Sequence, residues 1–189
     1  MKFIDQFDDQ DLKITRGQLN QRETQILGVF HRCQANFPVA VCLDPIKKKS
    51  LASIDLEEKI NRVSFVNPIW LTCPFLNEII HSLESDNLIK EIESFINSNP
   101  FCKDLMEQSH LDYYYFRKQL VKSRITKAER LKLDYWSGIG GLKNFTAIKC
   151  LHLHYAHYLA GQNNLVGRMV ESLLGDEKSC QSRECQKFI

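Results

Sequence analysis

The fold of this chain is decided by Gln25-Ile-Leu-Gly-Val-Phe-His-Arg-Cys33 and Pro38-Val-Ala-Val-Cys-Leu43, two apolar runs in close succession. Both are short and rich in β-branched and aromatic residues, which is typical of strands. Four residues, Gln34-Ala-Asn-Phe37, separate them, and a connection of that length suits an antiparallel hairpin. The sequence therefore predicts a domain organised around a small antiparallel sheet, with Cys33 at the end of its first strand.

Segments on either side of this hairpin extend the prediction. Asp8 to Leu19 is expected to form an opening helix, and Arg62 to Thr72, with its Val, Phe, Ile and Trp residues, a third strand. Pro74 follows at once and suits the first position of a helix. Between hairpin and third strand, the polar stretch from Asp44 to Asn61 is predicted to be a loop.

The remainder of the chain has helical periodicity. Apolar residues recur at a spacing of three to four, and Gly175 suits a helix C-terminus. The predicted helices are Phe75–Leu83, Leu88–Ile96, a long one from Phe101 to about Leu133, Ile148–Ala160 and Leu165–Leu174. We therefore predict an α+β fold in which a mostly antiparallel sheet of about three strands packs against several helices, with a helix-rich C-terminal half. Residues 1–175 are expected to form one domain and residues 176–189 a polar tail.

Composition sets limits on partners and location. The 189 residues include 25 Lys and Arg against 23 Asp and Glu, a formal charge of +2 that gives no overall attraction to nucleic acid or anionic lipid. The first residues carry acids where a signal peptide would be basic and apolar. No apolar run approaches the ~20 residues that cross a bilayer. We expect a cytoplasmic protein, and its seven cysteines to be reduced thiols.

The most unusual local sequence is Lys149-Cys-Leu-His-Leu-His-Tyr-Ala-His-Tyr-Leu-Ala-Gly161. On a helix, Cys150, His154 and His157 would share one face, with His152 nearly opposite. Thiolate sulfur and imidazole nitrogen are preferred ligands of zinc, and residues one turn apart can supply two of four ligands. This pattern predicts part of a metal site.

The missing ligands are expected at the ends of the predicted strands. Cys33 closes the first strand, and Cys73 lies between the third strand and its helix. If the sheet packs on the last helices, Cys33, Cys73 and Cys150 converge. Three thiolates with His154 or His157 would suit structural zinc, and three thiolates alone would suit an iron-sulfur cluster with one open iron. We predict a metal-binding or iron-sulfur protein, whether or not the site is catalytic.

Other interpretations of the same residues stay open. The thiols fit a buried core without any metal, since free cysteine is among the most buried residue types. Cys73 or Cys150, each near a helix start, would suit the nucleophile of a thiol enzyme. A metal-free interaction domain could instead use the aromatic, basic helix between Tyr113 and Lys132 to bind a protein partner. The tail pair Cys180 and Cys185 is expected to be frayed.

Basic residues beside the candidate ligands suggest a small anionic ligand. Arg32, Lys149 and Arg168 lie near these cysteines and histidines or on the last predicted helix. We consider them candidate substrate contacts, although basic residues at element ends commonly stay solvated.

Several motifs in the chain resemble a family. Val29-Phe-His-Arg-Cys33, Pro68-Ile-Trp-Leu-Thr-Cys-Pro74 and Ile148 to Gly161 with Asn164-Leu-Val-Gly-Arg168 are similar to bacterial proteins of the domain of unknown function 501. The resemblance runs from about Gln18 to Gly175 and is weak from Phe101 to Asn144. The family's motif residues fall on Arg32, Cys33, Pro38, Thr72, Cys73, Pro74, Lys149, Cys150, His152, His154, His157, Asn164 and Gly167. The resemblance implies the domain boundaries and the candidate site, but it does not imply any particular activity.

Overall fold

The computed structural model describes residues 7–20, 25–46, 67–125, 138–181 and 183–189. Within these residues the chain forms six α-helices and a three-stranded antiparallel sheet of order β1-β2-β3. The strands are β1 Ile26–Arg32, β2 Pro38–Leu43 and β3 Ile69–Leu71. The helices are α1 Asp9–Leu19, α2 Pro74–Ser85, α3 Leu88–Ser98, α4 Pro100–Val121, α5 Leu151–Leu159 and α6 Leu165–Leu174. The predicted α+β class is confirmed.

The hairpin forms as predicted, and α1 precedes it. Strands β1 and β2 pair from Ile26 opposite Leu43 to Arg32 opposite Pro38, with irregular register along β1. Helix α1 begins after Asp8, whose side chain accepts a hydrogen bond from the backbone N–H of Asp11 at 2.8 Å. The Asp11 carboxylate in turn accepts two bonds from the Arg32 guanidinium, each 2.7 Å long, and so ties α1 to the end of β1.

The third strand is short where the structure describes it. Residues Ile69–Leu71 pair with β2, whereas residues 62–66 of the predicted Arg62–Thr72 strand lie outside the described ranges. Pro74 is the first residue of α2, as predicted, because its missing N–H costs nothing at that position. Cys73 occupies the N-cap position immediately before it.

Both faces of the sheet are covered. The main core lies on one face, where residues such as Ile69 and Leu71 pack with apolar side chains of α2 to α6. A smaller cluster on the other face joins Val29 and Val41 to Leu12 and Leu19 of α1. Because β2 lies between these two layers, all six of its residues are buried.

Two helix boundaries differ from the prediction. Helix α4 is described to Val121, and residues 126–133 of the predicted long helix lie outside the described ranges. Helix α5 begins at Leu151, three residues after the predicted Ile148, because Cys150 adopts an extended N-cap conformation with φ −163° and ψ 154°. Cys150 therefore lies at the start of the helix and does not share a helical face with His154 and His157. Helix α6 ends at Gly175, as predicted.

The C-terminal segment is packed, contrary to the expectation of a frayed tail. A 3-10 turn, Glu184–Phe188, lies against α1, and Cys185 within it is only 6% exposed. The Phe188 ring approaches Gly17 so closely that a Cβ there would lie 2.3 Å from it. The sequence of this segment is polar, but Cys185, the Phe188 ring and a hydrogen bond from Lys13 to the Ile189 carbonyl hold it against α1.

Candidate metal centre

The five predicted metal ligands are distributed over three places. Cys150 lies at the start of α5, His154 and His157 lie in the core, and Cys33 and Cys73 line a cleft beside the sheet. Cys73 precedes α2, whereas Cys150 lies near Glu84, eleven residues further along that helix, or about 16 Å at 1.5 Å per residue. Ligands of one zinc ion all lie near 2.3 Å from the metal, so Cys73 and Cys150 do not serve the same ion.

At the start of α5, one group of potential ligands is close enough to hold an ion. The Cys150 sulfur, a carboxylate oxygen of Glu84 and a ring nitrogen of His152 all lie within 4.8 Å of one another. All three residues are partly buried. Among the described residues, no other three His, Cys, Asp or Glu side chains meet this distance.

Carboxylates from the preceding helices hold the start of α5 in place. Cys150 provides no side-chain cap, and Glu84 instead accepts a hydrogen bond from the Leu151 N–H at 2.6 Å. Glu93 similarly accepts from the Ile148 N–H at 2.6 Å. Negative charge is favourable at this end of a helix, so Glu84 acts as a cap supplied by α2. This role explains the position of the Glu84 carboxylate and brings it to Cys150.

The orientation of His152 suits a metal ligand. Its Nε2 lies 3.1 Å from the Asn77 carbonyl oxygen, which can only accept, so Nε2 carries the proton of that bond. Its Nδ1 faces Glu84 Oε1 at 3.1 Å. In metal sites a ligating histidine commonly donates its other N–H to a carbonyl, which fixes both the tautomer and the ring. The Glu84 carboxylate also only accepts, so a proton on Nδ1 completes that contact, and an ion bound between Nδ1, Glu84 and Cys150 would take the place of this proton.

The two remaining predicted histidines belong to a buried polar cluster. His110, His154, His157 and Asn164 are each fully buried between α4, α5 and the start of α6. The Asn164 side-chain oxygen accepts from the Gly167 N–H at 2.8 Å, and this bond identifies the oxygen and the nitrogen of the amide. The oxygen also lies 3.3 Å from His154 Nδ1, and the amide nitrogen 3.1 Å from His157 Nδ1.

These contacts fix tautomers that do not suit metal binding. His157 Nδ1 accepts from the Asn164 amide, and His110 Nδ1 accepts from the Ile139 N–H at 2.9 Å. In both neutral rings the proton is therefore on Nε2, which has no lone pair to offer an ion. Only His154, whose Nδ1 donates to Asn164, has a free Nε2 lone pair. We interpret this cluster as a structural element of the core.

The cleft beside the sheet contains Cys33 and Cys73 together with the two tail cysteines, Cys180 and Cys185. It has a volume of about 550 Å³ and lies between the end of β1, the start of α2 and the C-terminal segment. Tyr155 also lines it and donates a 2.7 Å hydrogen bond to Glu171. The structure thus brings two of the predicted ligands together and adds two that were expected to be frayed.

Burial disfavours the thiolate form of the candidate nucleophiles. It raises the pKa of Cys73 to about 11, although the backbone N–H groups of Leu76 and Phe75 oppose that shift. Burial also raises the pKa of Cys150, and the Glu84 charge adds to it. The helix starts that would activate a thiol are present, but desolvation is the larger effect in both cases.

We therefore expect Cys73 to be a slow nucleophile. A pKa two units above the ordinary value reduces the thiolate about 100-fold at pH 7, and the higher intrinsic nucleophilicity of a more basic thiolate recovers roughly a factor of ten. Alkylation by iodoacetamide, followed by peptide mass spectrometry, should be about tenfold slower at Cys73 than for free cysteine, and also slower at Cys150. Faster alkylation than free cysteine at either position would favour a thiol enzyme instead.

The predicted anion contacts have partners or lie at the surface. Arg32 lines the cleft, but its guanidinium holds the Asp11 carboxylate. Lys149 is exposed next to Cys150. Arg168 is exposed on α6 and donates to the Asn163 side chain at 2.7 Å. Of the three, Lys149 is adjacent in sequence to a ligand of the group at the start of α5.

The aromatic, basic helix proposed as an interaction surface is largely a core helix where it is described. Tyr113 and Phe116 are buried, and Tyr115 is the exposed aromatic residue of this segment, with 56% of its surface accessible. Residues 126–132, with the remaining basic positions, lie outside the described ranges. The aromatic residues thus mainly explain how α4 packs.

Sequence reasoning missed Glu84 and placed the tail cysteines incorrectly. Nothing in the local sequence of α2 distinguishes Glu84 from the other acids, since its role appears only when α5 packs beside it. Cys150 gave an indirect indication that another residue caps this helix. A helix start that lacks Ser, Thr, Asp or Asn needs a hydrogen-bond acceptor from elsewhere in the fold. In the described part of the chain, no helix combines the length and the apolar character that would let it cross a lipid bilayer.

The fold and the site together define a class: an α+β domain with a three-stranded antiparallel sheet covered by helices, carrying a Cys, His and Glu group at a helix start. Residues 29–172 match the family model described as protein of unknown function (DUF501). This match covers most of the chain, which therefore belongs to that family. No curated protein and no solved structure matches the chain.

Proposed function

We propose that this chain is a metal-binding protein whose ion is held by Glu84, Cys150 and His152. The observation that carries the proposal is the mutual proximity of the three potential ligand atoms, within 4.8 Å. Tetrahedral zinc with bonds of 2.0 to 2.3 Å has ligands about 3.3 to 3.8 Å apart, so movements of about 1 Å bring the three atoms to a common ion.

The donor set favours zinc over an iron-sulfur cluster. One sulfur, one nitrogen and one oxygen ligand suit a borderline metal ion, whereas clusters are held mainly by thiolates. The His152 Nε2–H bond to Asn77 supports this choice, because it supplies the outer hydrogen bond that zinc-bound histidines typically make.

Three protein ligands would leave a fourth position open. Structural zinc sites are closed by four protein ligands, and sites with three can bind water or a small ligand. The partial exposure of all three side chains gives solvent access to that position. Lys149, exposed beside Cys150, would favour an anionic ligand there. We therefore favour a site that binds a small anion through the metal.

The expected result is that Cys150→Ser and His152→Gln each remove one equivalent of zinc per chain from protein purified without oxygen or chelators. Elemental analysis for zinc and iron measures this directly. Glu84→Gln keeps an oxygen that accepts from Leu151 and removes the charge, so it separates the capping role from the ligand role. Cobalt substitution provides a second readout, since a thiolate ligand gives a charge-transfer band that Cys150→Ser should abolish.

Cys102→Ser is the matched control, because Cys102 is a buried cysteine at the start of α4 that does not belong to this group. It should retain the zinc content of the unmodified protein, with helical content confirmed by circular dichroism for every variant. Equal zinc in Cys150→Ser and Cys102→Ser would contradict the proposal.

A further inference from the structure

We propose that Cys33, Cys73, Cys180 and Cys185 form a second metal site, which binds one zinc ion as thiolates and fastens the C-terminal segment to the sheet. This inference is independent of the Glu84 group, with which it shares no residue. Its basis is the convergence of four cysteine side chains, from three separate parts of the chain, on a single cleft.

Three separate parts of the fold bring the cysteines to the cleft. Cys33 lies in the hairpin turn, where its N–H donates to the Phe37 carbonyl at 3.0 Å. Cys73 is the N-cap residue of α2. Cys180 and Cys185 lie in the C-terminal segment that follows α6, and the turn containing Cys185 packs against α1 and α2. Four sulfur ligands from such segments are the usual composition of a structural zinc site.

The thiols are near enough to influence one another. Burial is the main cause that raises the pKa of Cys73 to about 11, and the charges of Cys185 and Cys180 add to it. Burial likewise raises the pKa of Cys185, with Cys33 and Cys180 among the contributing charges. This mutual influence agrees with the position of all four side chains in the lining of one cleft.

Hydrogen-bond donors already present would suit a thiolate-bound ion. The Gln18 amide donates to the Cys185 sulfur at 3.2 Å, and the backbone N–H groups of Phe75 and Leu76 point at the Cys73 sulfur. Donors of this kind stabilise sulfur ligands.

Binding requires the cleft to close. No three of the four sulfurs lie within 4.8 Å of one another in the described residues. The segment that must move begins at Gly175, whose φ of 48° ends α6, and it continues through short 3-10 turns. Inward movement of Cys180, which lies between Gly175 and the packed turn that contains Cys185, together with rotation of the other three cysteine side chains, would reduce the open volume and bring the sulfurs to a common ion. The metal would then connect the C-terminal segment to both β1 and α2.

Zinc stoichiometry tests the proposal on the full chain. We expect two equivalents in the unmodified protein, one in Cys185→Ser, one in Cys150→Ser and none in the double variant, so failure at either site is seen separately. Cys102→Ser should again retain both. Cys180→Ser, at a more exposed position than Cys73 or Cys185, provides a variant that leaves the core unchanged.

Protection from trypsin and from alkylation provides a second measurement that does not depend on the zinc stoichiometry. Added zinc should slow tryptic cleavage after Lys178, Arg183 and Lys187 and should block alkylation of all four cleft cysteines. The Cys180→Ser variant should lose the protection from trypsin. Zinc content unchanged in Cys185→Ser and Cys180→Ser would overturn the proposal, as would a disulfide among the four cysteines in protein kept reduced and free of oxygen.

Discussion

At pH 5 the protein should be about 6 kcal/mol less stable than at pH 7.5. Burial lowers the pKa of His110 to about 4 and the pKa values of His154 and His157 to about 3. In the unfolded chain each histidine titrates near 6.5 and is charged at pH 5, while the folded protein keeps all three neutral. Each histidine then lowers the free energy of unfolding at pH 5 by about 2 kcal/mol. This value follows because pH 5 lies 1.5 units below 6.5 and each unit corresponds to about 1.36 kcal/mol.

The direction of this effect follows from proton binding. A folded-state pKa below the unfolded value means that the unfolded chain binds more protons between about pH 6.5 and pH 4, so acid favours unfolding. The folded protein has its full stability with respect to these groups above about pH 6.5. As the pH falls below 6.5, the free energy of unfolding decreases by about 4 kcal/mol per pH unit for the three histidines together. Because small domains have a total stability of only about 5 to 15 kcal/mol, acid unfolding near pH 5 is expected.

Urea denaturation followed by circular dichroism at pH values from 7.5 to 5 measures this dependence. His157→Gln removes one of the buried groups and should reduce the slope by about 1.4 kcal/mol per pH unit. His81→Gln changes an exposed histidine of α2 and is the matched comparison. If the two variants have equal slopes, buried histidines are not the cause of acid sensitivity.

Asn164→Ala should lower the free energy of unfolding by about 4 kcal/mol. The side chain is fully buried and makes three contacts, to the Gly167 N–H and to the Nδ1 atoms of His154 and His157. Alanine leaves all three groups buried without this hydrogen-bond partner. Each buried group without a partner costs roughly 1 to 3 kcal/mol of stability, and these costs are not additive. The Gly167 bond is also the N-cap of α6, and its loss alone accounts for about 1 kcal/mol of this total.

Asn163→Ala is the appropriate control for this prediction. Asn163 is the preceding residue, is exposed, and its side chain contacts the exposed Arg168. Its replacement should change the stability by no more than about 0.5 kcal/mol. Thermal and urea denaturation at pH 7.5 compare the two variants, and similar midpoints would contradict the importance assigned to the Asn164 contacts.

The fold was largely predictable because its elements have strong local patterns. The hairpin, the opening helix, Pro74 at the start of α2 and Gly175 at the end of α6 all follow from periodicity and from residues with special backbone preferences. The exception, the start of α5, depended on a tertiary contact. Lys149 and Cys150 continue the helical pattern in sequence, but the Glu84 carboxylate receives the Leu151 N–H and fixes the helix start there.

The candidate site was only partly predictable, since it depends on which element ends meet. Of the predicted ligands, Cys150 lies in the group at the start of α5, and Cys33 and Cys73 share a cleft. Cys150 was grouped with His154 and His157 because a continuous helix was assumed, and its extended N-cap conformation removes that relation. Burial then assigns the two histidines to the core. The partners that complete each group, Glu84 and the two tail cysteines, come from segments with no distinctive local pattern.

The start of α5 depends on two other helices for its hydrogen bonds. The first N–H groups of a helix have no partners within it, and here Glu84 and Glu93, which lie on α2 and α3, satisfy those of Leu151 and Ile148. A nine-residue helix is too short to persist alone in water. The boundary of α5 is therefore set by α2 and α3, and a substitution that displaces either carboxylate would also disturb the histidine-rich helix.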